Sequence, residues 1–233
     1  MIDVRDMASA LRVLAGGEFA RYHSSKASEV ERFELEMQRF LSVGHVLGVN
    51  SGTSALICAL VGCGIGPGDE VLVPAYTWVA TAAAPLAVGA VPVLTEINQT
   101  LTIAPEALRR KISPRTTAFI VVHMINLVCD MDAILAIAKE HNLIVIEDAC
   151  QAVGVTYRGR RCGTMGDAGA FSFNVMKNMQ AGEGGAVLTN SQRTYTRALM
   201  YHDVGSYMRA GRADTNEPVF IGQNYRMTNL AAA

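Results

Sequence analysis

The residue that calls for an explanation is Lys177, in the stretch FSFNVMKNMQAGEGGAV (171–187). Lysine, unlike arginine, can give up its proton in a protein and act as a nucleophile. Of twenty basic residues only four, Lys26, Lys111, Lys139 and Lys177, are lysines. Lys26 precedes a capped helix, Lys111 sits in the helical pattern APEALRRKI, and Lys139 falls near a helix C-terminus, where the dipole favours a cation. Lys177 has no such role, because its segment keeps neither helical nor strand periodicity.

Three other clusters have types and spacing suited to a ligand. Ser51-Gly52-Thr53-Ser54 separates the strand-like HVLGVN from a helical stretch. Free N–H groups, hydroxyls and the positive end of a helix dipole would there form a phosphate cradle, although Ser and Thr are also ordinary helix caps. Glu147 and Asp148 follow the apolar run LIVI. A carboxylate at the end of a buried strand needs a partner or a task, and a helix-capping aspartate is the competing reading. Trp78, the single tryptophan, lies in PAYTW just after EVLVP, where a planar ligand would find a stacking surface. GCGIGPG (62–68) follows a helix and misses the dinucleotide spacing, so it reads as a helix stop and turn. A lysine for a Schiff base, a carboxylate for a pyridine nitrogen, an aromatic plate and a phosphate cradle are together the parts that hold pyridoxal phosphate (PLP).

Elements able to bring these residues together are written in the hydropathy. Strand-like runs recur at 45–50, 70–74, 90–97, 117–123, 143–148, 169–173 and 185–190, several apolar at successive positions, as strands buried on both faces require. Helical stretches TSALICALVG, TWVATAAAPLAVG, APEALRRKI and DMDAILAIAKEH fall between the earlier runs. Before them, SEVERFELEMQRFL carries a Ser28/Glu31 capping-box pattern, with Val30, Phe33, Met37, Phe40 and Leu41 on one face. The alternation predicts an α/β fold with a mostly parallel central sheet flanked by helices, whose ligands gather at the carboxyl ends of the strands. The closely spaced last pair of runs breaks the rhythm.

Composition narrows the class. The chain has 233 residues, half of them hydrophobic and 18% charged, enough for a sizeable core in one domain. A net charge of −1 with no basic run gives no footprint for nucleic acid or an anionic membrane. Five cysteines without a C-x-x-C pair argue against a disulfide framework or a zinc site and for a reducing cytoplasm. The N-terminus has no signal-like apolar region, and no run reaches membrane-span length.

From GGEFARY through SGTSAL, GIGPGDEVLVPAYTWVATAAA, DMDAI, IEDACQAVG, GDAGAFSF, the lysine, GEGGAV and NYRMTNLAAA, the chain resembles the DegT/StrS-type PLP-dependent sugar aminotransferases of fold type I. The resemblance implies that Lys177 carries the cofactor and that Asp148 pairs with its pyridine nitrogen. It further implies that Gln151 contacts the ring's phenolic oxygen, that Trp78 stacks on the ring, and that Thr53, Ser54 and Ser172 hold the phosphate beside Gly52. Asn224 matches an asparagine that reaches the phosphate of a neighbouring subunit, which implies a homodimer with shared sites. Related sugar dehydratases carry histidine where this chain has Lys177, so transamination is implied. An amino-acid donor, most often L-glutamate, would supply the amino group to a nucleotide-linked keto sugar or a keto cyclitol.

Two departures stand out. Where the family reads close to H-L-Y-G-x-P-A-D-M-D, this chain has His123 to Asp132 with Asn126 and Val128 in place of glycine and proline, so the loop path is open. The family pattern continues past Leu230-Ala231-Ala232-Ala233 into a smaller domain, so residues 1–233 read as the PLP-binding large domain. Another PLP reaction such as dehydration, or a PLP-binding module without turnover, are the alternatives. Arg226 could hold a donor carboxylate or make an ordinary ion pair.

Overall fold

A computed structural model describes residues 3–22, 28–205, 217, 218 and 220–233; Lys26 lies outside the described residues. Seven strands form one sheet: β1 (His45–Val49), β2 (Glu70–Pro74), β3 (Val91–Thr95), β4 (Thr116–Val122), β5 (Ile144–Asp148), β8 (Ala168–Ser172) and β9 (Gly185–Thr189). The spatial order is β1-β9-β8-β5-β4-β2-β3, parallel throughout except that β9 runs against both its neighbours. The short spacing before the last run of the sequence is thus the connection to the one reversed strand. A small antiparallel hairpin, β6 (Thr156–Tyr157) and β7 (Arg160–Arg161), stands apart from the sheet.

Alternation along each strand divides the core in two. Val46, Leu72, Phe119, Val121, Val145 and Phe171 face α2 (Glu29–Leu41), α5 (Pro105–Lys111) and α6 (Met131–His141). Their neighbours Leu47, Val71, Ala118, Ile120, Ile146 and Ala170 face α3 (Gly52–Gly62), α4 (Ala80–Ala87) and α7 (Gln192–Tyr201). Side chains one residue apart point to opposite faces, so a sheet covered on both sides needs unbroken apolar strands. α1 (Val4–Gly16), capped by Asp3, and α8 (Asn229–Ala232) complete the α-helices that the described residues form.

Several expected elements differ in detail. The Ser28/Glu31 capping box forms, but the buried face of α2 is Val30, Glu34, Met37 and Leu41. Phe40 is instead half exposed beneath the Arg161 guanidinium, 4.7 Å from the ring centroid. Glu34 survives burial because Arg21 reaches it at 2.6 Å and the Gly48 N–H donates to it at 2.6 Å. α4 begins at Ala80, three residues later than the helical pattern, which leaves Thr77 and Trp78 in the preceding turn. α1, α7 and the β6–β7 hairpin were not evident from the sequence. The buried side of α7 is Thr194, Thr196, Ala198 and Met200, too polar to register as an apolar stripe.

Candidate active site

The parallel strands β1, β2, β4, β5 and β8 end around a cleft of about 810 Å3. Its wall brings together Gly52, Thr53, Trp78, Asp148, Gln151, Ser172 and Lys177. Seven of the nine expected site residues therefore share one space, although they come from positions spread over 126 residues of chain.

α3 starts directly behind β1. Ser51 is its cap and accepts the Ser54 N–H at 3.0 Å, so the ordinary capping role of a serine applies here. The N–H groups of Gly52 and Thr53, in the first turn, have no partner within a helix, and both residues line the cleft. A β-carbon at Gly52 would stand 2.7 Å from Ser172 Cβ and 2.9 Å from Cys150 Sγ. Only glycine lets the helix end approach β8 this closely, which brings the first-turn backbone and the Ser172 side chain together on the cleft wall. The Ser54 hydroxyl donates to Asn50 Oδ1 at 2.6 Å, and the residue is buried and not on the cleft wall, whereas Ser51 is.

Asp148 closes β5 and faces the α3/α4 side. Its Oδ2 accepts the Thr81 hydroxyl at 2.7 Å, and its Oδ1 accepts the Cys150 N–H at 3.2 Å. The residues after it form a turn, so the helix-cap alternative does not apply. Glu147, one position earlier, faces the other way. It accepts N–H bonds from Gly163, Met165 and Gly166 and pairs with His123 Nε2 at 3.0 Å, with both side chains fully buried. His123 and Glu147 belong to the framework, and only Asp148 reaches the cleft.

Lys177 sits in the loop between β8 and β9. Its N–H donates to the Asn174 carbonyl at 2.8 Å; the Asn178 side chain donates to the Val153 carbonyl at 2.9 Å and that of Asn174 to Glu183 at 2.8 Å. The irregular stretch is thereby pinned on both sides of the lysine. Desolvation, with the Asp148 carboxylate adding to it, pushes the Cys150 thiol well above its ordinary range, and the Lys177 cation pulls the other way. Cys150 lines the cleft with its thiol held in the protonated, weakly nucleophilic form.

The altered loop after β4 takes a left-handed path. Ile125 has φ 50° and Asn126 φ 62°, and both line the cleft. Asparagine tolerates this region best among residues with a side chain, so Asn126 fits its position, while Ile125 carries strain. The Ile125 N–H donates to Gln151 Oε1 at 3.0 Å. An N–H can only meet the oxygen of that amide, so the Gln151 NH2 is the end left for a ligand. Trp78 is 66% exposed on the same wall. Asn224 stands outside this cleft, exposed and bridged through its backbone to Asp203. Arg226 pairs with Asp203 Oδ1 at 2.5 Å, the ion-pair reading of that residue.

Residues 2–233 match the DegT/DnrJ/EryC1/StrS aminotransferase family. The chain belongs to that family. It is 42% identical over 217 residues to GDP-perosamine synthase of Caulobacter vibrioides, covering 88% of this chain and 56% of the relative. It is also 42% identical over 203 residues to L-glutamine:2-deoxy-scyllo-inosose aminotransferase of Micromonospora echinospora, covering 86% and 47%. The structure of ntda from Bacillus subtilis with bound cofactor PMP superimposes with a TM-score of 0.86 at 32% identity, over 99% of this chain and 52% of that one. The chain thus spans about half the length of the curated relatives it matches.

Thr77 and Asn174, outside the clusters that the sequence singles out, also line the cleft. A signal for Thr77 existed: Thr77 and Thr81 are hydroxyls four apart in an otherwise apolar segment.

Proposed function

We propose that this chain is the cofactor-binding large domain of a PLP-dependent aminotransferase that passes an amino group from an amino acid to a nucleotide-linked keto sugar or a keto cyclitol. The observation that carries the reading is the convergence of Lys177, Asp148, Gln151, Trp78, Ser172 and the α3 N-terminus on one cleft. Its volume, about 810 Å3, is that of a small-molecule site. The residues fit the group: a helix end packed too tightly for a β-carbon suits a phosphate, and a buried carboxylate whose oxygens each already accept one donor suits a pyridinium nitrogen.

In this reading Gly52, Thr53 and Ser172 hold the phosphate, with Ser51 beside them. Asp148 keeps the pyridine nitrogen protonated, Gln151 donates its N–H to the phenolic oxygen, and Trp78 covers the ring. The cofactor, when bound, supplies an aldehyde to receive the amino group and a ring that delocalises negative charge. Lys177 Nζ is the group that would hold the cofactor covalently, and as a free amine it would take up the proton from the donor's α-carbon and give it back during the transfer. Trp78 and Ile125 at the rim limit water's approach.

L-glutamate is the proposed donor; the inosose aminotransferase is named for L-glutamine, so both belong in the test. A homodimer is proposed as well. Asn224 lies outside the cleft of its own chain, and exposed Trp78, Val79 and Met176 are apolar surface that a second copy would cover. On cysteine usage we place the enzyme in the cytoplasm. Incubation of the PLP-loaded protein with each donor, followed by assay of the keto acid released, tests the reading. Release of 2-oxoglutarate from L-glutamate, or of the corresponding keto acid from L-glutamine, is expected; PLP uptake without keto acid from any donor would favour a binding module.

A further inference from the structure

Behind the cleft runs a chain of three hydrogen-bonding side chains. Thr77 Oγ1 lies 2.6 Å from Thr81 Oγ1, and Thr81 Oγ1 lies 2.7 Å from Asp148 Oδ2. An ionised carboxylate offers no proton, so the single Thr81 proton goes to Asp148. Thr81 can then only accept from Thr77, and the chain has one polarity, from the cleft wall inward to the carboxylate. Thr81 is fully buried on the first turn of α4 and is not on the cleft wall, whereas Thr77 and Asp148 are. The two threonines are four residues apart, Thr77 before α4 and Thr81 in its first turn, and their hydroxyls meet at the side of α4 that faces Asp148 at the end of β5.

We propose that Thr81 is a positioning residue that fixes the orientation and charge of the Asp148 carboxylate, and that Thr77, its proton spent on Thr81, meets a ligand as a hydrogen-bond acceptor only. The Cys150 N–H holds Oδ1 and the Thr81 hydroxyl holds Oδ2, so each oxygen has one fixed donor and one remaining direction. Without Thr81 the carboxylate has a single anchor and can rotate about its last torsion. Charge-assisted hydrogen bonds of this kind are the strong ones, and a buried acceptor stripped of its donor is costly.

This inference rests on the PLP reading, and the test separates the two. PLP affinity of the purified chain is measured by spectroscopic titration, and melting of the PLP-free chain is followed in parallel. Thr81→Val, of equal size, is expected to weaken PLP binding about tenfold, and Thr81→Ser, which keeps the hydroxyl, to restore it to within about twofold. Thr77→Val, which leaves the Thr81 to Asp148 bond in place, is expected to cost about threefold or less. Should the valine chain not fold, Thr81→Cys, with a weak S–H donor, is expected to lose affinity about threefold to tenfold. Thr81→Val, or in its place Thr81→Cys, with PLP affinity unchanged and only melting lowered would reduce Thr81 to a packing residue and overturn the proposal. Failure of Thr81→Ser to rescue, or a larger loss from Thr77→Val than from Thr81→Val, would overturn it too. A wild-type chain that takes up no PLP would overturn the functional reading itself.

Discussion

Glu147 and Asp148 are adjacent on β5, carry the same charge and are both buried, yet they do opposite things. Glu147 turns toward α2 and α6, where three backbone N–H groups and His123 use up its lone pairs. Asp148 turns toward α3 and α4, where two donors hold it and the rest of its surface opens on the cleft. The difference is one step of strand alternation. A carboxylate enclosed by fixed donors serves the framework, whereas a carboxylate held but incompletely enclosed is poised for a ligand.

Substitution of the pair should break the symmetry of charge and expose that division. Glu147→Gln puts an NH2 against donors that need an acceptor, and we expect a loss of about 3–5 kcal/mol, roughly 10 °C in melting temperature, with activity per folded molecule retained. Asp148→Asn should reverse the pattern: thermal unfolding of the PLP-free chain shifts by less than about 1.5 kcal/mol, while amino transfer falls about 100-fold. Equal melting losses in the two variants would contradict the division. Gly52→Ala probes the open face itself, since the added methyl must displace Ser172; about 1–3 kcal/mol of stability and weaker PLP retention are expected in calorimetry and dialysis. The smallest effect belongs to the rim. Ile125→Asn should relieve left-handed strain and raise stability by about 1 kcal/mol, with the PLP absorbance unchanged.

The sequence made the sheet legible because buried parallel strands must be apolar at consecutive positions, and all seven runs became strands. It also made most of the cleft legible, since strand ends fix where loops such as SGTS, EDACQ and FSFNVMK must meet. Residue types and spacing alone did not show which of Glu147 and Asp148 faces the cleft, because facing depends on register against the neighbouring strands; only the family resemblance pointed to Asp148. Nor did they show that Ser54 turns inward, a choice made by Asn50 across one helical turn. Glu34 escaped notice because its partner, Arg21, is thirteen residues away, outside any helical period. The loop at Asn126 shows the reverse case: a replaced glycine left the path open, and the structure has a left-handed turn there with the residue that best tolerates it.

The central claim is that Lys177 holds PLP in this cleft. Reduction of the PLP-treated chain with borohydride, followed by peptide mass spectrometry, tests it most directly. The account predicts a stable pyridoxyl adduct on the peptide containing Lys177 and none in Lys177→Ala; an adduct distributed over Lys26, Lys111 and Lys139, or none at all, would contradict it.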